Sequence, residues 1–272
     1  MKRVMLKVMF LLICTVFFCA MAENTKASSD AELAQKLSNP VADLITLPIQ
    51  TTWDRDIGAR DTGRKMQTNI QPVIPFEWNS ETNLITRTII PVIDQKNISP
   101  GSGSQFGIGD INMTLFFSPK KPTSGGLIWG VGPVFLLPTA TDSQLGLDKW
   151  CVGPAAIMLT TSGQWTMGVL ANHMWSIGGK SFRPDISTTF IQPFAAYTTP
   201  DAWTISLQSE TTYNAKKGDW GVPFNVALAK LVKWGKMPVS LQGGVGYWLE
   251  SPNSGAEGFR FRLQVNFVLP KP

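Results

Sequence analysis

Residues 258–269 read G-F-R-F-R-L-Q-V-N-F-V-L. Phe259, Phe261, Leu263, Val265, Phe267 and Leu269 share one parity, and Arg260, Arg262, Gln264 and Asn266 share the other. A β-strand sends successive side chains to opposite faces, so one face of this segment is apolar and the other polar. A strand of a soluble sandwich shows the same alternation, but its apolar face then needs a second layer to cover it. Nearly every other strand candidate in this chain also offers an apolar face. The arrangement that satisfies them all turns the apolar faces outward to lipid and the polar faces inward to water, in a closed antiparallel transmembrane β-barrel.

The two ends of the chain fit that reading. Met1, Lys2, Arg3 and Lys7 precede an apolar run over 8–20 and the triplet Ala20-Met21-Ala22. That pattern is expected of a secretory signal peptide over 1–22, cut after Ala22. The run is short for a spanning helix. Cys19 does not make a lipoprotein signal, because Val16-Phe17-Phe18 lacks the small residues such a signal needs. Removing Lys2, Arg3 and Lys7 from the 24 basic residues leaves 21 against 19 acidic ones, a net charge of +2. The pI near 9.1 is thus largely a property of the leader. No basic block remains, so nucleic acid is not an expected partner. Cys151 is the one cysteine left beyond the leader, which excludes an intramolecular disulfide, and neither a zinc site nor any other cofactor is expected.

Mean hydropathy is only +0.03. Barrels hide their membrane character in this way, because half of each strand is polar. Export and strand alternation together place the protein in the outer membrane of a Gram-negative cell. Its expected partners there are outer-membrane lipid, the barrel assembly machinery and a small-molecule solute.

Along the chain, Ser29-Asp30-Ala31-Glu32 has capping-box spacing. It predicts a short amphipathic helix ending near Asn39-Pro40, within a periplasmic segment over 23–43 that is either a tether or a plug. The barrel occupies 44–272. About twelve strands follow, an even number as bacterial barrels require. They run over 44–54, 67–78, 83–94, 107–118, 125–138, 150–161, 164–177, 187–198, 202–213, 220–234, 237–249 and 258–269. Connections alternate between longer and tighter, 119–124 being the exception, so both termini are expected on the periplasmic side. Tryptophans cluster at strand ends: Trp53, Trp150, Trp175, Trp220 and Trp248 toward one interface, Trp78, Trp129, Trp165, Trp203 and Trp234 toward the other. Two aromatic girdles are expected of a spanning barrel.

Several motifs invite chemistry. P-G-S-G-S-Q-F-G-I-G-D over 100–110 is glycine-rich, but a phosphate cradle needs a following helix and an alternating strand follows here. His173 is the sole histidine. A serine hydrolase would need it as base, yet no serine sits in a nucleophile elbow, and parity groups His173 with Trp165, Met167 and Val169 on a lipid-facing position. The chain is therefore not expected to be an enzyme. Asp54, Glu210, Glu250, Arg260 and Arg262 fall on lumen parities toward the external strand ends. Opposed acid and base across a narrow lumen either select hydrated solutes or neutralise each other. Pro72, Pro75 and Pro91 lie inside the second and third strands and remove ladder donors. They either bend the wall or open a lateral gate into the membrane.

The chain resembles the outer-membrane barrels of the meta-pathway phenol-degradation family, whose members are often labelled transporter or neuromedin U. The resemblance rests on L-S-N-P-V-A at 37–42, L-P-I-Q at 47–50, N-I-Q-P-V-I-P at 69–75 and R-T-I-I-P-V-I at 87–93. It continues through G-I-G-D at 107–110, G-V-G-P at 130–133, L-P-T-A-T at 137–141, Q-P-F at 192–194 and P-V-S-L at 238–241. It implies a barrel and an outer-membrane location, and it associates the chain with aromatic degradation without assigning any residue a role. The tail after Phe267, V-L-P-K-P, departs from the terminal aromatic of typical barrels. The function expected is an uptake channel for small aromatic or hydrophobic solutes; the alternatives are a non-conducting structural barrel and an outer-membrane lipid-modifying enzyme.

Overall fold

The computed structural model describes residues 29–58 and 60–270, so the leader falls outside the described residues. The helix α1 (Ser29–Lys36) leads into β1 (Ile45–Ile57), β2 (Gly63–Ile70), β3 (Val73–Glu77) and β4 (Thr82–Lys96). Then come β5 (Ser104–Ile108), β6 (Ile111–Pro119), β7 (Leu127–Leu137), β8 (Lys149–Ser162) and β9 (Trp165–Gly179). The last part holds β10 (Ser187–Thr198), β11 (Trp203–Ser209), β12 (Thr211–Asn214), β13 (Asp219–Trp234), β14 (Met237–Glu250) and β15 (Glu257–Leu269).

Three pairs of segments are halves of one strand. β2 and β3 both pair with β1 and β4; β5 and β6 both pair with β4; β11 and β12 both pair with β10 and β13. The interruptions fall at Gln71-Pro72, Gly109-Asp110 and Glu210. Every ladder is antiparallel, and β15 returns to β1 from Ile45 opposite Leu269 to Trp53 opposite Phe261. The result is a closed antiparallel barrel of 12 strands. Closure leaves no unpaired edge, which is what a sheet in hydrocarbon requires.

The deciding segment takes the orientation its alternation dictates. On β15, Phe259, Phe261 and Leu263 are 62, 52 and 58% exposed on the outer surface, while Arg260 and Arg262 point inward and are only 8 and 4% exposed. Trp150, Trp175, Trp203, Trp220 and Trp234 are likewise exposed outside. Trp248 departs from the expected girdle. It shares the inward parity of Gln242 and lines the interior.

The first and last described residues, Ser29 and Pro270, and the connections 78–81, 120–126, 163–164, 199–202 and 235–236 lie at one end, here called the terminus end. Connections 58–62, 97–103, 138–148, 180–186, 215–218 and 251–256 lie at the other, the loop end. Segment 120–126 is long for its end, the exception expected from the sequence. α1 forms where expected but stops at Lys36, short of Asn39-Pro40. It packs at the terminus end, with Ala31 and Ala34 against Ala202 and Leu231. Gln35 Nε2 donates to the Gly163 carbonyl at 2.8 Å, and Lys233 pairs with Asp30 at 2.9 Å.

Candidate functional site

The interior corrects one expectation: it is not polar all round. Along β4, β6, β7, β8 and β9 the inward side chains include Ile85, Phe116, Val134, Ile157, Leu159 and Leu170, which pack with Val41 into a dry cluster. Close packing of this kind leaves no room for water. The passage is therefore pushed against the remaining wall, from β10 round to β2.

There a cavity of about 1020 Å³ runs along the barrel. Its polar side is a belt of amides, including Gln50, Gln67, Gln192, Gln208, Gln242 and Gln264. Some are bonded to one another, as Gln192 Nε2 to Gln208 Oε1 at 2.9 Å and Gln67 Nε2 to Asn69 Oδ1 at 2.9 Å. Its apolar side is made by Val73, Met174, Phe190 and Phe194, which back onto the dry cluster. Leu37 and Ala34 from the N-terminal segment reach it from the terminus end, and Gln144 and Ile98 from loop-end connections. Gln95 Nε2 donates to the Gln144 carbonyl at 3.0 Å, which holds the 138–148 connection in over the lumen.

The charged group sits on the amide side. Arg262 donates to Glu210 at 2.6 Å. Arg260 lies 3.4 Å from Glu210 and 3.2 Å from Asp54, and its guanidinium rests 5.0 Å from the centre of the Trp248 ring. The Trp248 indole donates to Asp54 at 2.9 Å. To reach Glu210 from β15 the arginines must cross β14 and β13. The register places Gly246 opposite Arg260 and Gly244 opposite Arg262. A Cβ at Gly246 would stand 2.8 Å from Arg260 Cγ and run into the Asn225 amide. The glycine is thus required by the close approach of the arginine stem. Ion pairs this deeply placed resist screening by salt but cost desolvation, so their net contribution rests on good geometry.

Of the residues singled out from sequence, the structure brings Asp54, Glu210, Arg260 and Arg262 into one network. Glu250 stays apart. It is exposed at the loop end of β14 opposite Val222, whereas Arg260 aligns with Gly246 four residues away. Sequence reasoning missed Arg87, Lys65 and Trp248. Arg87 was legible as the lone charge among Ile85, Ile89 and Ile93 on one parity; Lys65 was assigned to a loop, but β2 starts at Gly63.

The prolines mark a seam. Pro72 sits at the break between β2 and β3, where the Gln71 N–H donates to the Pro48 carbonyl at 2.8 Å and the Thr88 N–H to the Pro72 carbonyl at 3.1 Å. Pro75 lies opposite Ile85 and Pro91 opposite Asn69, and the Pro91 carbonyl accepts from Gly109 N–H at 2.8 Å. Carbonyl acceptors remain in use while the three proline donors are missing.

His173 faces outward, as its parity indicated. Its Nδ1 lies 2.7 Å from Thr189 Oγ1 and its Nε2 3.2 Å from Ser187 Oγ. Hydroxyls hold both ring nitrogens, in place of the carboxylate or amide a hydrolase uses to orient its base. Residues 104–108, inside the glycine-rich stretch, form β5 instead of opening a helix. Among the described residues no cluster of His, Cys, Asp and Glu could hold a metal ion.

At the loop end, side-chain hydrogen bonds from Lys180 and Arg183, at 2.8 and 2.9 Å, hold the Asp148 carboxyl below its ordinary 3.8. Lys149, at 3.1 Å, does the same to Asp185, helped by Ser176. The Asp148 pairs tie 138–148 to 180–186, and the Lys149 pair ties the start of β8 to the same connection.

No protein-family model matches the chain, and no curated protein matches it. The resemblance to the phenol-degradation family therefore rests on the quoted motifs alone. Among solved structures, an outer membrane channel from Pseudomonas putida F1 is similar with a TM-score of 0.65 at 14% identity, over 83% of this chain and 96% of that one. Outer membrane phospholipase A from Escherichia coli aligns at a TM-score of 0.48 and 13% identity, over 91 and 99% of the two chains. A monoaromatic hydrocarbon channel, CymD, aligns at 0.48 and 8% identity, over 91 and 95%. At such identities the first likeness bears on the fold, that of an outer-membrane barrel.

Proposed function

We propose that this chain is an uptake channel of the Gram-negative outer membrane for small solutes with an aromatic or other apolar body. The observation that carries the reading is the chamber itself. A dry cluster fills one half of the barrel and leaves beside it an elongated cavity, with an apolar wall facing an amide belt and lining residues drawn from both ends of the barrel. Such a surface solvates a solute's apolar body on one side and its polar group on the other, the usual character of a ligand site. Termini and tight turns go to the periplasm, longer connections outside.

Within this reading the charge network of Asp54, Glu210, Arg260 and Arg262 sets a transverse field in the passage. The seam carrying Pro72, Pro75 and Pro91 is a side exit for a neutral apolar solute, for which a watery exit is uphill by about 25 cal/mol per Å² of apolar surface.

A second reading, a non-conducting barrel, is favoured by α1 and the 138–148 connection, which approach the chamber from opposite ends. Single-channel recording on purified full-length protein separates the two. Discrete conductance steps, with benzyl alcohol entering proteoliposomes faster than it enters empty vesicles, are expected of the channel. A silent bilayer and no solute entry would sink it. The same sample is expected to release no fatty acid from phospholipid, the outcome that separates a channel from a lipid-modifying enzyme.

A further inference from the structure

The charges that face the chamber do not balance. On the strands, Lys65, Arg87 and Arg260 line it with Asp54 and Glu210, Arg262 points inward behind them onto Glu210, and Lys36 of α1 reaches it from the terminus end. Both carboxylates are engaged by Arg260 and Arg262, and Asp54 also accepts from Trp248. Arg87 donates instead to a neutral group, the Gln71 amide oxygen, at 3.1 Å. Among the described residues, neither Arg87 nor Lys65 has a carboxylate within ion-pair distance. On the far side of the charge network, on β15 and β13, Arg262 Nε and both amide atoms of the buried Asn225 have no hydrogen-bond partner among the described residues. A cation without a counter-charge is costly in a dry wall and favourable where an anion can reach it.

The two surplus cations are stationed in succession on the same wall. Lys65 lies opposite Asp54 and Gln95 near the loop end, and Arg87 lies opposite Val73 nearer the terminus end. Arg87 also stands at a chemical boundary. Its partner Val73 packs on the same dry cluster as Phe190 and Phe194, while its guanidinium points to the amide side. A solute held there meets a planar, fork-shaped donor at one end and aromatic surface at the other. Guanidinium matches a carboxylate better than it matches a spherical anion, because two N–H groups address two oxygens. Aromatic faces favour a ring in offset or edge contact.

We propose that the chamber selects aromatic monocarboxylates, with Lys65 the first cation met, Arg87 the group that holds the carboxylate, and Phe190 and Phe194 the surface that takes the ring. This rests on the channel reading and narrows its substrate class. Two sources of a carboxylate are chemically open, an arene and an acidic sugar, and the apolar wall favours the arene. The carboxyl is ionised at neutral pH, so the recognised species is the anion.

The test measures binding and passage separately, with purified full-length protein. In titration calorimetry, benzoate is expected to bind at least about tenfold more tightly than its neutral analogue benzyl alcohol. Arg87→Gln should weaken benzoate by about tenfold or more and leave benzyl alcohol unchanged, and Phe190→Ala should weaken benzoate but not glucuronate. Lys65→Gln should slow benzoate entry into proteoliposomes relative to benzyl alcohol. Equal affinity for benzoate and benzyl alcohol, or benzoate binding indifferent to Arg87→Gln, would overturn the carboxylate assignment. Glucuronate bound as tightly as benzoate would overturn the assignment of the ring. If Arg87→Gln fails to assemble, judged by heat-modifiable migration, the wild-type benzoate and benzyl alcohol comparison with the Lys65→Gln arm decides. A protein that conducts nothing yet binds benzoate in this pattern defeats the channel and keeps the site; one that conducts without discrimination does the reverse.

Discussion

Glu210→Gln tests whether the lumen network holds the barrel together or merely decorates it. Glu210 interrupts the strand between β11 and β12 and is the only carboxylate that pairs with Arg262 among the described residues, at 2.6 Å. Arg260 keeps Asp54 at 3.2 Å when Glu210 is neutralised, so the burden falls on Arg262, whose side chain is 4% exposed. Leaving a buried cation without its partner costs about 3–5 kcal/mol. The glutamine carbonyl still accepts one hydrogen bond, which sets the expectation at the low end, about 3 kcal/mol or a hundredfold in the folding equilibrium. The assay is reversible denaturant unfolding in lipid vesicles, followed by tryptophan fluorescence. Glu210→Gln with Arg262→Gln in one chain removes both charges and should recover about 1 kcal/mol or more of the loss. A single variant within about 1 kcal/mol of wild type, as for an exposed pair, would refute the reasoning, and so would strictly additive effects in the double variant.

Replacing Arg260 and Arg262 with serine leaves Asp54 and Glu210 unopposed by them, so reversal-potential measurements should show a shift toward cations in a barrel that still assembles; loss of assembly would show the arginines to be structural. Ala34→Glu puts a carboxylate where α1 packs on Ala202 and Leu231, and should undock the helix and raise open probability; unchanged recordings would mean α1 does not gate. The Asp148 carboxyl is held below its ordinary 3.8 by Lys180 and Arg183, so its contribution to tying 138–148 to 180–186 is complete above pH 3.8 and lost as pH falls below that through the lowered value. Amide exchange in 180–186, corrected for intrinsic rates, should accelerate only in that acid range, and acceleration that begins above pH 3.8, or an Asp148→Asn variant that exchanges like wild type at neutral pH, would count against the tie. Pro72→Val, Pro75→Val and Pro91→Val together should slow entry of benzyl alcohol more than that of a small sugar; equal effects on both, or none, would leave the prolines as architecture.

The barrel was legible wherever its two faces meet different solvents. On β15 the outward parity meets the exterior and the inward parity meets the chamber, so Phe259, Phe261 and Leu263 alternate visibly with Arg260, Arg262 and Gln264. On β8 the rule loses its contrast. Cys151, Ala155, Ile157 and Leu159 face a dry interior, while Trp150, Ala156 and Met158 face outward, so both parities are apolar and only the flanking turns betray the strand. The half-filled barrel was invisible for that reason: an apolar inward face looks like an absence of alternation, and nothing in a single strand says which neighbour fills the space.

The site was legible by parity and illegible by register. Parity put Asp54, Glu210, Arg260, Arg262 and Glu250 on the lumen side, but which of them meet depends on rungs that no local signal specifies. Placing Arg260 opposite Gly246 carries it four residues from Glu250 and within reach of Asp54 on the closing strand. The empty position at Gly246 then decides the rest for Arg260, since its stem passes where a Cβ would stand on the way to Glu210. Engaging Glu210 and Asp54 in this way leaves Arg87 on a neutral amide and Lys65 with no carboxylate at ion-pair distance among the described residues, so the anion preference proposed for the chamber depends on Gly246 of the neighbouring strand. A Gly246→Ala barrel, in which Arg260 Cγ is displaced from 2.8 Å contact, should therefore free a carboxylate and weaken benzoate binding without any cation having been removed.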